Sequence, residues 1–220
     1  MRLLLIRHGQ TPANVAGSLD TALPGPGLTD LGDAQADAIP EAVAGEGIEA
    51  VFASRALRAQ QTAAPLARAI GVPVLELPGV HEIQAGDVEK ATDEESVHTY
   101  LGVLWRWTHG ELDARMPGGE TGEEVLARVD DSLRHVVASG AQVAAVVSHG
   151  ALIRVWTTVR AGNLAAAFAR NNPLGNTGVV VVEGDPGGWL ALSWMGSPLG
   201  GPGVDDADPF DGPAGEPLHA

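Results

Sequence analysis

The feature that most constrains the fold is a pattern that occurs three times: a short apolar run, a polar turn and then a stretch with helical spacing. The apolar runs are residues 2–6, 50–53 and 143–148. Short apolar runs that alternate with helical stretches are typical of a sheet flanked by helices. The pattern therefore predicts the α/β class, as a three-layer α/β/α sandwich with a mostly parallel central sheet.

Local signals place helices and further strands around these runs. Thr29 is a suitable N-cap for a helix that ends near residue 44, in which Pro40 predicts a kink or a break. A second helix is predicted from Leu57 to Ile70, with Gly71 ending it. Helices are also predicted within residues 92–138, and strands within residues 72–77 and 176–195.

Length and composition indicate one folded domain. The chain has 220 residues, of which 45 % are hydrophobic, and this is enough for one good-sized core. We expect the domain to cover residues 1–196. Residues 197–220 are rich in glycine, proline and aspartate, and we predict that they form a flexible tail.

Charge and cysteine content exclude several functions. The formal net charge is −15, so nucleic acids and anionic membranes would be repelled at long range, and we predict neither as a partner. The absence of cysteine excludes disulfides, thiolate catalysis and cysteine-ligated zinc. No stretch approaches the roughly 20 apolar residues of a membrane span, and we expect a cytoplasmic location.

Basic side chains follow each of the three predicted strands. Arg7 and His8 end the first, Arg58 lies in the first turn of the helix after the second, and His149 follows the third. In an open α/β sheet the carboxyl ends of the strands form the usual ligand crevice. Two arginines and two histidines there predict an anion site, to which the helix beginning at Gly150 would add backbone donors.

Each of these residues has a structural alternative. A single histidine at a strand end is more often a satisfied structural residue than a ligand, and Arg55 and Arg58 would ordinarily be solvated on a helix surface. A metal site is a further alternative, but neighbouring arginines would repel a cation and no carboxylate lies at a typical ligand spacing. We therefore predict no metal and no other cofactor.

Five segments occur in the order found in a known family. They are "LIRHGQT" with Asn14 beyond it, "SRALRAQQTA", "HEIQAGDVE", "PGGET" and "VVSHG". Over residues 2 to about 195, this set resembles the histidine phosphatase superfamily, also called phosphoglycerate mutase-like. The resemblance implies the phosphoglycerate mutase-like sandwich, with His8 as a nucleophile that is transiently phosphorylated. It also implies a phosphate clamp, formed by Arg7, Arg58 and His149. The acidic proton donor that it implies is Glu82, and His81 is the second choice for this role.

Further residues beside these motifs are predicted to bind the substrate. They are Gly9, Gln10, Thr11, Asn14 and Gly150. Capping and turn roles are equally natural for Thr11 and Asn14. In the middle helices Trp105, Trp107, His98 and Tyr100 have helical spacing, for which core packing is the favoured interpretation.

Some positions depart from the family pattern. After the proton donor the family has glycine, any residue, an aromatic or leucine, glutamate and glycine, whereas residues 86–90 read "GDVEK". The segment that usually begins Ser-Pro-Leu reads Ser54, Arg55, Ala56, and position 12 is proline where an aromatic is common. These differences concern the identity of the substrate more than the phosphoryl chemistry.

The favoured function is a metal-independent phosphatase that hydrolyses a small phosphorylated metabolite through a phosphohistidine on His8. Two alternatives stay open. One is a cofactor-dependent mutase that returns the phosphate to a second hydroxyl, and the other is a module that binds phosphorylated ligands without turnover. A homodimer, formed through a sheet edge or the tryptophan-bearing helix, is a further possibility.

Overall fold

A computed structural model describes residues 1–194, apart from the side chain of Ala169. Its centre is a six-stranded sheet with the strand order β3-β2-β4-β1-β5-β6. The strands are β1 (Arg2–Arg7), β2 (Ala50–Ala53), β3 (Val74–Glu76), β4 (Val143–Ser148), β5 (Val179–Asp185) and β6 (Gly188–Trp194). The three strands predicted first, β1, β2 and β4, are therefore neighbours in the sheet.

The sheet is mostly parallel, as predicted. β1, β2 and β3 each run parallel to their neighbour on the β4 side, whereas β5 and β6 are antiparallel additions at the other edge. The register aligns Arg7 with Ser148, and Ala53 with Val147. The chain therefore leaves β1, β4 and β2 at one common edge, and the side chains that follow these strands meet there.

Helices cover both faces of the sheet. They are α1 (Pro12–Val15), α2 (Asp30–Ala42), α3 (Leu57–Ile70), α4 (Glu94–Thr108), α5 (Gly122–Ala138), α6 (Gly150–Arg160) and α7 (Phe168–Asn171), with 3-10 turns at Pro78–Val80 and Gly86–Val88. Buried residues of α2 and α3 form one hydrophobic cluster with the sheet, and those of α4, α5 and α6 form another. The predicted three-layer sandwich is confirmed.

Strand β1 contributes to both clusters. Leu3 and Leu5 belong to the cluster with α4, α5 and α6, and Leu4 and Ile6 belong to the cluster with α2 and α3. Since successive side chains of a strand point to opposite faces, a strand covered on both sides is apolar at every position. This explains why the sequence of this strand is a continuous apolar run.

The predicted helices and strands are present, with one helix and one strand that differ in their boundaries. Thr29 caps α2 by accepting a hydrogen bond from the backbone of Gly32. The break expected at Pro40 is wrong, because the helix runs through this proline; it ends at Ala42, two residues before the predicted end. Helix α3 covers the predicted range and ends at Gly71, whose φ of 75° is left-handed. The strand predicted within residues 72–77 is shorter, since only three residues pair.

Two aromatic residues of α4 belong to the core. Tyr100 and Trp107 are fully buried, and the Trp107 indole donates to the carbonyl of Ala114 at 2.8 Å. Core packing is thus confirmed for both residues. No helix in the described part of the chain is long and apolar enough to cross a membrane. The predicted tail, residues 197–220, lies outside the described residues.

Candidate active site

The orientation of the His8 ring is fixed by the backbone. His8 follows β1, is 5 % exposed, and places Nδ1 2.8 Å from the carbonyl oxygen of Gly9. A carbonyl only accepts, so Nδ1 carries the ring proton. In the neutral ring Nε2 is then unprotonated and its lone pair faces away from the backbone. This tautomer makes Nε2 the nucleophilic atom of the ring.

The sharp turn after His8 requires glycine. A Cβ on Gly9 would lie 2.7 Å from the carbonyl oxygen of Gly32, in the first turn of α2. The Gly9 N–H donates to the hydroxyl of Thr62 at 2.9 Å. The backbone after β1 is therefore wedged between α2 and α3, and the His8 ring is held at the strand edge.

Arg58 connects the two histidines. Its Nε donates to His8 Nε2, and its Nη2 donates to His149 Nδ1, both at 3.2 Å. Arg58 lies in the first turn of α3 and is 2 % exposed. Burial lowers the pKa of its guanidinium, while the carboxylates of Glu82 and then Asp20 act to raise it. The prediction that Arg58 approaches His8 and His149 is therefore met by direct contacts.

The protonation of His149 follows from its partners. Because Arg58 only donates, His149 Nδ1 accepts, and the proton of the neutral ring is on Nε2, 2.9 Å from the Ser54 hydroxyl oxygen. The rings of His8 and His149 lie 5.2 Å apart, edge to face. Ser54, which follows β2, thus positions His149, a role that the sequence analysis missed.

Both histidines are neutral near pH 7. Burial, and next the nearby Arg58 guanidinium, lower the pKa of each ring well below the usual range for histidine. For His8 the charge of Arg7 acts in the same direction. A neutral imidazole is the reactive form of a nitrogen nucleophile, so the environment keeps His8 in the form that a nucleophilic role requires.

Buried arginines lie behind the site. Arg7 is fully buried and donates to the carbonyl of Leu174 at 2.8 Å. Arg154, on α6, is 2 % exposed, and burial together with the charge of Arg7 lowers its pKa to about 10. The sequence analysis missed Arg154 because it occurs in the middle of an apolar helix. The charge of Arg7, which acts on the His8 ring, favours an anion in the space next to His8.

Glu82 lies at the N-terminus of α6. Its Oε1 accepts from the backbone N–H groups of Ile83 and Leu152 at 2.8 and 2.9 Å, and its Oε2 accepts from Ala151 at 3.2 Å. The carboxyl group therefore satisfies N–H groups that a helix start leaves without partners. Burial raises the pKa of Glu82, although these hydrogen bonds and Arg58 oppose the shift.

These side chains meet in a small cavity of about 30 Å³, which we call the nucleophile cavity. Its lining is Arg7, His8, Thr11, Ala13, Asn14, Ser18, Leu19, Asp20, Thr21, Arg58, Glu82 and Tyr100. His149 contacts this group through Arg58, whereas Gly9, Gln10 and Gly150 do not line the cavity. The amide oxygen of Gln10 accepts instead from the Thr29 hydroxyl at 2.9 Å.

Thr11 and Asn14 have the capping role that was left open, and they also line the cavity. The Thr11 hydroxyl oxygen accepts from the N–H of Asn14, and the Asn14 side chain accepts from the N–H of Thr11, which is a capping box at the start of α1. A second asparagine, Asn176, donates to the carbonyl of His8 at 3.0 Å. Asn176 had no recognisable signal in the sequence because it precedes β5 in a loop.

One loop, residues 18–25, contributes four residues to the lining of the cavity, and a second loop, residues 84–90, is hydrogen-bonded to it; we call the two the rim loops. One carboxylate, Glu89, accepts from the N–H groups of Thr21 and Ala22 at 2.9 and 3.0 Å and also from the Thr21 hydroxyl. Lys90, at the position of the family's glycine, has a left-handed φ of 64°. The structure thus explains why glycine suits this position.

Among the described residues, no three histidine, aspartate or glutamate side chains form a group suited to hold a metal ion. A metal-free reaction stays a prediction. What the geometry defines is an α/β sandwich with a cavity on which a neutral histidine, a shared arginine and a buried carboxyl group converge.

Comparisons with known proteins give this class a family. The protein-family model of the histidine phosphatase superfamily (branch 1) matches residues 3–196. The chain therefore belongs to this superfamily. The chain is 30 % identical over 228 residues to a protein of Enterobacter sp. (strain 638) named probable phosphoglycerate mutase GpmB. The match covers 100 % of this chain and 99 % of that protein.

Another relative is much longer. The chain is 37 % identical over 212 residues to the PE-PGRS family protein PE_PGRS11 of Mycobacterium tuberculosis (strain ATCC 25618 / H37Rv), and the match covers 89 % of this chain but 36 % of that protein. The chain thus spans about a third of the length of this relative.

Solved structures of phosphatases share the fold. A mycobacterial glucosyl-3-phosphoglycerate phosphatase in complex with VO3 has a TM-score of 0.75 and 26 % identity, covering 88 % of this chain and 98 % of that one. A putative alpha-ribazole-5'-P phosphatase from Escherichia coli str. K-12 substr. MG1655 has a TM-score of 0.67 and 25 % identity, covering 89 % and 96 %.

Proposed function

We propose that this protein is a metal-independent phosphatase that hydrolyses small phosphomonoesters through a phosphohistidine on His8. The observation that carries the proposal is the convergence on one cavity of an unprotonated Nε2, two guanidinium groups and the carboxyl group of Glu82. The similar structures of phosphatases, with at least 25 % identity over most of the chain, support hydrolysis.

In the first step His8 Nε2 attacks phosphorus in line with the ester oxygen. The P–N bond forms as the P–O bond to the alcohol breaks, and the protonated carboxyl group of Glu82 gives its proton to the leaving oxygen. Burial supports this role because it raises the pKa of Glu82 and so extends the pH range in which the carboxyl group is protonated. The products of the step are the free alcohol, a phosphohistidine and a Glu82 carboxylate.

In the second step water replaces the histidine. The Glu82 carboxylate takes a proton from water as the water oxygen attacks phosphorus, and the P–N bond breaks to give inorganic phosphate and neutral His8. The same carboxyl group therefore acts first as acid and then as base, and both steps balance without a further reactant.

The arginines stabilise the charge on the transferring group. Arg58 now donates to both histidine rings, and phosphate oxygens beside His8 would take over these donors. Charge-assisted hydrogen bonds to the equatorial oxygens are what phosphoryl transfer requires. One such preorganised donor contributes on the order of 10²–10³ in rate in other enzymes.

The first experiment measures phosphate release from p-nitrophenyl phosphate, with EDTA present, by the wild-type protein and by His8→Ala. We expect the variant to lose activity by at least about 10³-fold, because the nucleophile is removed. When the phosphate group of the substrate is labelled, only the wild-type protein should become labelled. This label should be lost in acid and retained in alkali. His98→Ala is the control, since His98 is half exposed on α4; an equally active His8→Ala protein, or bound ligand without any turnover, would refute the proposal.

A mutase is the second candidate, because the relative from Enterobacter, which this chain matches over almost its full length, is named a probable phosphoglycerate mutase. A mutase would return the phosphoryl group from His8 to a second hydroxyl of the substrate. Incubation with 3-phosphoglycerate, with 2-phosphoglycerate and released phosphate measured in the same sample, separates the candidates. Isomer formation without phosphate release would replace the phosphatase proposal by the mutase.

A further inference from the structure

A second, larger cavity lies beside the nucleophile cavity, and we call it the outer cavity. It has a volume of about 400 Å³ and is lined by Thr21, Ala22, Leu23, His81, Gln84, Gly86 and Glu89. Thr21 lines both cavities, and His81 directly precedes Glu82. The nucleophile cavity, at about 30 Å³, has little room beyond a phosphate group. The rest of a substrate attached to that phosphate therefore has the outer cavity as its adjoining space.

The charges around the two cavities are unequal. The only lysine or arginine residues among the described residues that line them are Arg7 and Arg58, and both are fully buried beside the nucleophile. Both would be engaged by the phosphate group. Asp20 lines the nucleophile cavity and Glu89 lines the outer cavity, so the space for the alcohol portion has negative charges near it.

Two arginines near His81 are already paired elsewhere. Arg128 forms two hydrogen bonds with Glu120, at 2.7 and 3.0 Å, and also donates to the carbonyl of His81. Arg55 pairs with Glu76 at 2.8 Å on the surface. Neither arginine lines the outer cavity. Burial, and next the charge of Arg128, lower the pKa of His81, which favours its neutral form. A carboxylate or a second phosphate in that cavity would thus face Glu89, with no lysine or arginine of the described residues lining it.

From this arrangement we infer that the outer cavity binds the alcohol portion of the substrate and selects alcohols that carry no negative charge. The inference rests on the proposed function and narrows its substrate class to phosphomonoesters with a neutral or cationic alcohol portion. The names of two of the similar proteins include the word phosphoglycerate. Phosphoglycerate has a carboxylate in addition to its phosphate ester, so the inferred substrate class differs from the one that these names indicate.

Two ligands of equal carbon number test the inference. Glycerol 3-phosphate has a neutral hydroxymethyl group at the position where 3-phosphoglycerate has a carboxylate. Both are added as competitive inhibitors of p-nitrophenyl phosphate hydrolysis, so that inhibition constants are obtained whether or not they are turned over. Because like charges placed together oppose binding, we expect 3-phosphoglycerate to bind more weakly by roughly tenfold.

A charge variant identifies the outer cavity as the source of this difference. Gln84 is exposed and lines the cavity, and Gln84→Arg adds a cation there. This variant should bind 3-phosphoglycerate several-fold more tightly, roughly fivefold, with little change for glycerol 3-phosphate. Gln84→Met, of similar size and without charge, is the matched control and should keep the wild-type ratio.

The outcomes separate the inference from the function on which it rests. Equal or tighter binding of 3-phosphoglycerate by the wild type, with hydrolysis that depends on His8, would overturn the inference and leave the phosphatase intact. An unchanged ratio in Gln84→Arg would also overturn it, because the outer cavity would then not hold the alcohol. Absence of p-nitrophenyl phosphate hydrolysis would refute the phosphatase, and calorimetric binding of the same two ligands would still decide the charge preference.

Discussion

The clamp around His8 and the rim loops are built in different ways. Each clamp residue ends a strand, follows one or lies in the first turn of the helix after it, and the strands β1, β4 and β2 are adjacent. Contacts within the clamp are short links between such strand ends, for example from Arg58 to His8 and to His149. Neither rim loop directly follows a strand of the sheet, and the two are joined to each other by hydrogen bonds such as those from Thr21 to Glu89 and from Lys90 to Leu19.

This difference assigns separate tasks to the two regions. The sheet fixes the strand ends, so the chemistry of the clamp is tied to the fold and tolerates little displacement. The rim loops are not paired in the sheet, so away from Arg58 they can change in length and charge without moving His8. We therefore expect changes in the clamp to reduce kcat strongly, and changes in the rim loops that do not reach Arg58 to act mainly on KM and on the choice of substrate.

The largest effect is expected for Glu82, where clamp and rim loops meet. Glu82→Gln removes the proton that the leaving oxygen needs, and a lost general acid typically costs about 10²–10⁴ in rate. We expect a fall in kcat of this order for a substrate with a poor leaving group, such as glycerol 3-phosphate. The fall should be much smaller for p-nitrophenyl phosphate, whose leaving group needs little protonation.

The neighbouring histidine is the matched control for this prediction. His81→Gln changes a ring that faces the outer cavity, with Nδ1 2.8 Å from the carbonyl of Pro78. Its kcat should stay within about threefold of the wild type. If His81→Gln lost activity as Glu82→Gln is expected to do, and Glu82→Gln did not, the proton donor would be His81, the second choice of the sequence analysis.

A glycine in the rim loops tests how strictly the clamp is held. Gly25 has a φ of 68°, and a Cβ there would overlap Nη1 of Arg58 and would lie 2.9 Å from the carbonyl oxygen of Ala22. Gly25→Ala should displace the guanidinium from the two histidines, and a displacement of this kind lowers kcat/KM by roughly 10- to 100-fold. The measurement is kcat/KM for p-nitrophenyl phosphate together with the melting temperature.

Backbone strain alone is controlled at a second glycine. Gly47 has a similar φ of 69° and no atom within 4 Å of the added Cβ. Gly47→Ala should therefore show the loss of stability caused by strain and keep its activity. Equal activity of the two variants would mean that Arg58 relaxes without cost, and that the rim loops do not support the clamp.

Much of the fold and of the clamp could be predicted from the sequence because their causes are local. Continuous apolar runs predict buried strands, and topology then brings the residues after β1, β2 and β4 to one edge. Thr29 and Gly71 mark helix ends by their own conformational preferences. The position of Glu82 beside His8 was implied by family resemblance only.

The remaining contacts depend on tertiary structure. Ser54 gains its role only when His149 lies beside it, and Arg154 is hidden in an apolar helix with no motif around it. Tyr100 was expected to pack in the core; it does so, donating to the carbonyl of Ile83 at 3.1 Å, and it also lines the nucleophile cavity. A single residue thus serves the core and the site, and helical spacing predicts only the first role.

The smallest effect is expected for the link between the rim loops. In Glu89→Gln the amide oxygen keeps the two N–H donors of Thr21 and Ala22, and only the bond to the Thr21 hydroxyl changes its direction. We expect KM for p-nitrophenyl phosphate to rise about two- to fivefold with kcat unchanged, since one hydrogen bond contributes about 1 kcal/mol. Glu111→Gln, which breaks an exposed ion pair with Arg106, is the control and should change neither constant. A fall in KM would show instead that Glu89 acts on the substrate through its charge more than through the loop. A fall in kcat would mean that the rim loops also hold the reacting groups. In that case the division of tasks between the two regions would be wrong.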